Sequence, residues 1–247
     1  MRQQSVSYWL RVFFCLNFQD MRLAQGFLTP AARRKTMLAR KVVTRRGRHF
    51  RGYFPSRKLR RMVACESLLE RDAALLLEVS PGVVSFQEQP AVIQYFDGQS
   101  LCDYYPDFEV VLADGSVFHL EVKTTAKLKS RKVATKFAAI ATHYQERGLG
   151  FRIVTEQELQ REPLLSNAQE VDYLMGKTSR PLPSFHELRS DLGADTITFT
   201  KAESTLGRDT VLHLIAHGLL GCDLTQPLTG NTLLTIQDGG RDDTVFL

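Results

Sequence analysis

Pro106-Asp107-Phe108-Glu109-Val110-Val111-Leu112-Ala113-Asp114-Gly115-Ser116-Val117-Phe118-His119-Leu120-Glu121-Val122-Lys123 is the stretch whose reading decides the fold. Two runs rich in Val, Phe and Leu, Tyr105 to Leu112 and Ser116 to Lys123, flank a turn signal ending in Gly115, which predicts a β-hairpin. Two registers compete. A two-residue Asp114-Gly115 loop sets Asp107 opposite Val122 and sends Glu121 and Lys123 to the other face. A three-residue loop with Gly115 in the left-handed region sets Asp107 opposite Glu121 instead. Only the second leaves one face wholly apolar (Phe108, Val110, Leu112, Phe118, Leu120, Val122), with Asp107, Glu109, Val111, His119, Glu121 and Lys123 on the other. A slip of one residue would mix charge into the core, so the side-chain period of two selects it. Like charges facing each other at about 4.5–5.5 Å repel unless a cation lies between them. A divalent metal meets that need, and hard oxygen ligands suit Mg²⁺ or Mn²⁺. The same Asp, Glu and Lys also read as an ordinary solvated strand face, because short motifs match by chance.

Upstream, Glu66 to Glu78 reads as a helix with Leu68, Leu69, Leu75, Leu76 and Leu77 as its apolar surface. Glu70 falls among Ala73, Ala74 and Leu77 on the helical wheel, which predicts a buried carboxylate in need of a partner such as a metal or its water shell. Ser67 followed by Glu70 also has the spacing of a capping box, in which Glu70 ties back to a backbone N–H.

Taken in order, Cys65-Glu66-Ser67-Leu68-Leu69-Glu70-Arg71-Asp72, Val83-Val84-Ser85-Phe86-Gln87-Glu88-Gln89-Pro90, Tyr105-Pro106-Asp107-Phe108 and Leu120-Glu121-Val122-Lys123 resemble the N-terminal domain of the TnsA family. That family supplies the endonuclease subunit of heteromeric transposases and belongs to the PD-(D/E)XK nucleases. The resemblance spans roughly residues 40–155. It implies a restriction-endonuclease-like mixed sheet with flanking helices, and it places the family's active-site Glu, Asp and Lys on Glu70, Asp107 and Lys123. At Glu121 the best-known member carries Gln, so this chain departs toward the general nuclease pattern. The resemblance further implies Mg²⁺ (with Mn²⁺ as substitute) held by Asp107, Glu121, the Val122 carbonyl and Glu70, and cleavage at the 5′ ends of a transposon. Implied partners are duplex DNA, an integrase-fold transposase subunit and an AAA+ ATPase regulator. A stand-alone nuclease of restriction, repair or phage DNA processing is the alternative within the same group, and a non-catalytic DNA-binding scaffold the alternative outside it.

The 247 residues, 43% hydrophobic, suffice for one large or two small domains. Cys15, Cys65, Cys102 and Cys222 show no CxxC pairing, which fits reduced thiols in a cytoplasmic protein and argues against zinc. Charge is uneven: Arg22 to Cys65 holds 14 Lys/Arg and no Asp or Glu, leaving the rest of the chain at −9 against an overall +5. Within that segment Arg45, Arg46, Arg48, Arg51, Arg57, Lys58, Arg60 and Arg61 interleave with His49, Phe50, Tyr53 and Phe54, a pattern suited to lying along phosphates. Its bland reading is a solvated or disordered basic arm. Lys127, Lys129, Arg131, Lys132 and Lys136 extend the positive surface beyond the hairpin. Tyr8 to Phe18 is apolar but too short to span a bilayer, and no signal-peptide pattern surrounds it.

A helix from Thr124 or Thr125 to about Arg147, stopped by Gly148 and Gly150, and a strand from Phe151 to Thr155 complete an α-β-β-β-α-β order, with Val83–Gln87 and Ala91–Tyr95 starting the sheet. After Pro163, helical patterns at Ser166–Met175, Ser184–Leu192 and Thr210–Leu219 precede two β-prone segments, Cys222–Leu224 and Thr232–Ile236. Three helices and a small hairpin predict a winged-helix-like unit with few basic residues, and by the resemblance it would meet the ATPase regulator. His213 and His217 have the i, i+4 spacing of a metal pair but lack a third ligand, and read as a packed or surface pair. Gln237–Leu247 reads as a mobile tail. The chain thus divides into an extension (1–40), a nuclease domain (41–160) and a C-terminal unit (161–247).

Overall fold

The computed structural model describes residues 52–175, 181–237 and 244–247. Its centre is a four-stranded sheet of order β3-β6-β7-β8, formed by β3 (Val83–Glu88), β6 (Phe108–Leu112), β7 (Val117–Val122) and β8 (Gly150–Val154). β3, β6 and β7 are antiparallel neighbours, and β8 joins β7 in parallel after a helical crossover. The β6–β7 ladder pairs Phe108 with Leu120 and Val110 with Phe118, the register of the three-residue loop. Gly115 stands at φ +84° and donates its N–H to Leu112, so the turn draws on glycine's freedom at positive φ.

Each face of this sheet has its own cover. Helix α1 (Leu68–Val79) packs Ala73, Leu76 and Leu77 toward Phe86, Phe108, Val110, Phe118 and Leu120. On the opposite face lies the short helix α2 (Thr125–Leu128) and then α3 (Arg131–Glu146), which buries Phe137, Ile140 and Tyr144 against Phe151 and Ile153. The single helix expected from Thr124 to Arg147 is thus divided at Lys129-Ser130, where Ser130 adopts an extended backbone and starts α3.

Two ribbons stand outside the sheet. β1 (Gly52–Ser56) and β2 (Arg61–Cys65) pair over α1, while β4 (Ile93–Phe96) pairs only with β5 (Leu101–Tyr104). The expectation that Ala91–Tyr95 begins the sheet is corrected here. Gln89 turns at φ +41° just before Pro90, the chain leaves the sheet, and β6 takes the place beside β3.

Beyond β8 come α4 (Glu156–Leu159), α5 (Leu164–Met175), α6 (Phe185–Leu192), β9 (Thr196–Thr198), α7 (Phe199–Leu206), α8 (Arg208–Ala216), β10 (Leu220–Gly221) and β11 (Leu233–Ile236). The last three strands form a sheet of order β10-β11-β9. α7 and β9 were not foreseen, and β10 falls two residues before the expected Cys222–Leu224 strand. α5 packs on α1, so residues of both halves share one apolar core. The expected mobile tail is also corrected at its end: Phe246 is 5% exposed, its N–H donates to Ser80 Oγ at 2.9 Å, and Gly82 donates to Thr244 O. His213 is buried with neither ring nitrogen bonded, and its ring meets that of His217 edge-on at 4.5 Å, a packed pair. No described helix is long and apolar enough to cross a membrane.

Candidate active site

The hairpin brings Asp107, Glu121 and Lys123 to one rim of the sheet. Asp107 ends the connection from β5, and its main chain is held by the Gln89 N–H, which donates to the Asp107 carbonyl at 3.0 Å. Its Oδ2 accepts the Val122 N–H at 2.7 Å and faces the Lys123 ammonium at 3.4 Å. The Lys123 main chain is fixed in turn by donation to Val154 O, extending the β7–β8 ladder by one residue. Glu121 is buried, with the Tyr104 hydroxyl donating to its Oε2 at 2.6 Å and Lys123 paired closely to its Oε1. The same ammonium donates to the Val122 carbonyl at 3.1 Å. Three oxygens, Asp107 Oδ2, Glu121 Oε1 and Val122 O, therefore converge on one positive charge.

Electrostatics follow from that crowding. Burial, and then repulsion from Asp107, push the Glu121 carboxyl up to about 7, against the opposing pull of Lys123 and Tyr104. Asp107 is raised by burial as well. Burial alone would lower Lys123, but the two carboxylates outweigh it and hold the ammonium above the ordinary lysine range. One lysine thus serves two carboxylates, Glu121 buried and Asp107 partly buried, and the site retains an excess of potential negative charge.

Glu70 approaches this group from α1 but is oriented by the helix. Its Oε2 accepts the Glu66 N–H at 2.7 Å, its Oε1 accepts the Ser67 hydroxyl, and the Glu70 N–H donates back to Ser67 Oγ. The capping geometry is realised. Burial and the nearby Asp107 nevertheless push Glu70 up to about 7, so its charge is coupled to the site. The fully buried carboxylates of α1 are others, Asp72 and Glu78. Beside Glu121, His119 bonds Tyr144 at 2.6 Å and Glu109 at 3.3 Å, which covers the face expected to be solvated.

Residues 80–156 match the family model described as TnsA-like endonuclease N terminal. Over that segment the chain is similar to a TnsA-like endonuclease N-terminal domain. Asp107, Glu121 and Lys123 of the TnsA-like domain lie inside the matched segment, and Glu70 precedes it. No curated protein matches the chain.

Donor chemistry around the TnsA-like rim fits a hard divalent cation. Among the described residues no three His, Cys, Asp or Glu groups gather as a metal cage. What the rim offers is two carboxylate oxygens and one carbonyl already arranged around an ammonium, a partial set of the kind Mg²⁺ completes with waters.

The structure sorts the cations expected to meet DNA. Lys58 donates from Nζ to Leu77 O, Ser80 O and Val83 O, closing the C-terminus of α1, and burial lowers its pKa to about 8. Arg61 makes a bidentate pair with the buried Glu88 at 2.7 and 2.6 Å, and Arg57 bonds Asp172. Each of these three has internal acceptors with which a phosphate would have to compete. Arg60, Lys127 and Lys129 are exposed. Arg45, Arg46, Arg48 and Arg51, with the N-terminal extension, lie outside the described residues. Sequence reasoning missed the roles of Tyr104 and Gln89, which orient the site through partners 17 and 18 positions away.

Proposed function

We propose that this protein is a metal-dependent DNA endonuclease that hydrolyses phosphodiester bonds at the 5′ ends of a transposon. The convergence of Asp107 Oδ2, Glu121 Oε1 and Val122 O on a single positive charge, inside a TnsA-like endonuclease domain, carries this reading. Asp107, Glu121 and the Val122 carbonyl would hold Mg²⁺ or Mn²⁺, with Glu70 acting through water or on a second ion. When bound, such an ion supplies Lewis-acid stabilisation of the phosphoryl charge and lowers the pKa of an attacking water. The chain's own residues do the rest. Asp107 is held in place by the Val122 N–H, and Glu121 by Tyr104. The Lys123 ammonium lies where charge develops on the non-bridging oxygens, or orients the water. Lys127 and Lys129 begin a stretch from Thr124 to Gln145 with no acidic residue, suited to guiding the DNA backbone past the rim.

The C-terminal unit fits a protein partner better than DNA. Its order α6, β9, α7, α8, β10, β11, with sheet order β10-β11-β9, supports a winged-helix-like reading. Residues Val211 to Ala216 of α8, the helix that would enter a groove, are buried against the rest of the chain. We therefore assign this unit to an AAA+ regulator, acting together with an integrase-fold transposase subunit. Incubating the protein with duplex DNA tests the reading: hydrolysis in Mg²⁺ or Mn²⁺ that chelation abolishes is expected, whereas cleavage persisting in chelator overturns it. Equal cleavage of any duplex, indifferent to a co-expressed transposase subunit, would favour the stand-alone nuclease.

A further inference from the structure

Tyr104 ends β5, three residues before Asp107, and its ring is 2% exposed. Phe137 and Phe151 meet that ring edge-on at 6.3 and 6.1 Å, and the Lys136 ammonium lies 5.7 Å from its centre. Ring rotation and translation are both blocked, so the hydroxyl has one position, 2.6 Å from Glu121 Oε2. That is the short length of a bond from a hydroxyl to a carboxylate. Of the two Glu121 oxygens, Oε1 is the one in closest contact with Lys123.

We propose that Tyr104 is a positioning residue that restricts Glu121 to one ligating oxygen and so biases the site toward Mg²⁺ or Mn²⁺ and against Ca²⁺. The inference rests on the metal-dependent reading above. Ca²⁺ accepts six to eight oxygens and readily takes a carboxylate through both, whereas Mg²⁺ requires near-octahedral geometry with single oxygens. With one lone pair of Oε2 taken by the phenol, a bidentate Glu121 would have to share that oxygen between hydroxyl and ion, which weakens both bonds. Glu121 is 3% exposed, so little solvent can offset that loss.

The test is a competition titration of Ca²⁺ against Mn²⁺ on the full chain without DNA, following free Mn²⁺ by electron paramagnetic resonance. Tyr104→Phe keeps the ring and deletes the hydroxyl. It should lower the preference for Mn²⁺ over Ca²⁺ on the order of tenfold, the usual scale for losing a group that orients a ligand. Tyr144→Phe deletes a hydroxyl of the same aromatic cluster that bonds His119, and should leave the ratio at the wild-type value. An unchanged ratio in a Tyr104→Phe protein that still binds Mn²⁺ overturns the inference while leaving the metal reading intact. Failure of the wild type to bind Mn²⁺ overturns both. Should Tyr104→Phe not fold, infrared spectra of the wild type minus Glu121→Gln decide: a monodentate carboxylate signature in Ca²⁺ supports the restriction, and a bidentate one overturns it.

Discussion

At the residue scale, a single ammonium between the buried Glu121 and the partly buried Asp107 makes the charge balance of the rim depend on pH. Glu121 and Glu70 are both raised to about 7, above the usual value of an unfolded carboxyl near 4.3. Between those values the native chain holds protons that the unfolded chain has released. Stability of the metal-free protein should therefore be greatest near the lower value and decline as pH rises through about 7. Thermal melts across that window should show the decline, a flatter profile for Glu121→Gln, and recovery of the lost stability in saturating Mg²⁺. A metal-free melt that rises with pH over the same range would contradict these charge states. Lys123→Ala should slow hydrolysis on the order of 10²-fold with little change in the Mg²⁺ dependence, as for loss of a preorganised electrostatic group. Full recovery on adding Mg²⁺ would show that Lys123 serves ligand placement instead. The juxtaposition of Asp107, Glu121 and Lys123 was legible in the sequence because strand period and Gly115 together fix which side chains face each other. Tyr104 was not, because the Pro90 exit that swings β4 and β5 across α3 leaves no local pattern around that residue.

At the element scale, α1 is closed at both ends by side chains from elsewhere in the local sequence. Ser67 and Glu70 satisfy its first turn, and Lys58 reaches from the β1–β2 turn to Leu77 O in its last turn, to Ser80 O at its C-cap and to Val83 O at the start of β3. Lys58→Met should then destabilise the protein by roughly 2–4 kcal/mol, since it removes three hydrogen bonds that tie the β1–β2 turn to the α1–β3 junction. The slope of DNA affinity against salt should stay at its wild-type value. Denaturant titration and binding isotherms on one variant separate the two effects, and a changed salt slope with unchanged stability would return Lys58 to the DNA surface. The element boundaries of the hairpin and of α1 were readable because apolar spacing and caps are local signals. Lys58, Arg57 and Arg61 look alike in a basic run, and only folding brings Glu78, Asp172 and Glu88 within reach of them. The division of the Thr124–Arg147 helix was likewise hidden, since Lys129 and Ser130 are tolerated inside helices.

At the scale of the whole molecule, α1 is shared: one side covers the sheet and another receives α5, so the C-terminal unit and the nuclease core are packed as neighbours. The return of Phe246 to the α1–β3 junction adds a second tie. Sequence patterns located these segments but not their packing against each other, because apolar faces do not state their partners. The exposed cations of α2 and α3 lie on the far side of the sheet from α1, in the stretch that follows Lys123 directly. Reversing Lys127, Lys129 and Lys132 should weaken DNA binding and flatten the dependence of log K on log salt by about 0.9 for each phosphate no longer neutralised. An unchanged slope would assign phosphate binding to the Arg22–Arg51 segment. The central claim, that Asp107 and Glu121 form the hydrolytic site, is tested most directly by following cleavage and binding of one duplex by Asp107→Asn in Mg²⁺. Hydrolysis should be abolished while affinity for the duplex stays near the wild-type value; cleavage at the wild-type rate would contradict the assignment.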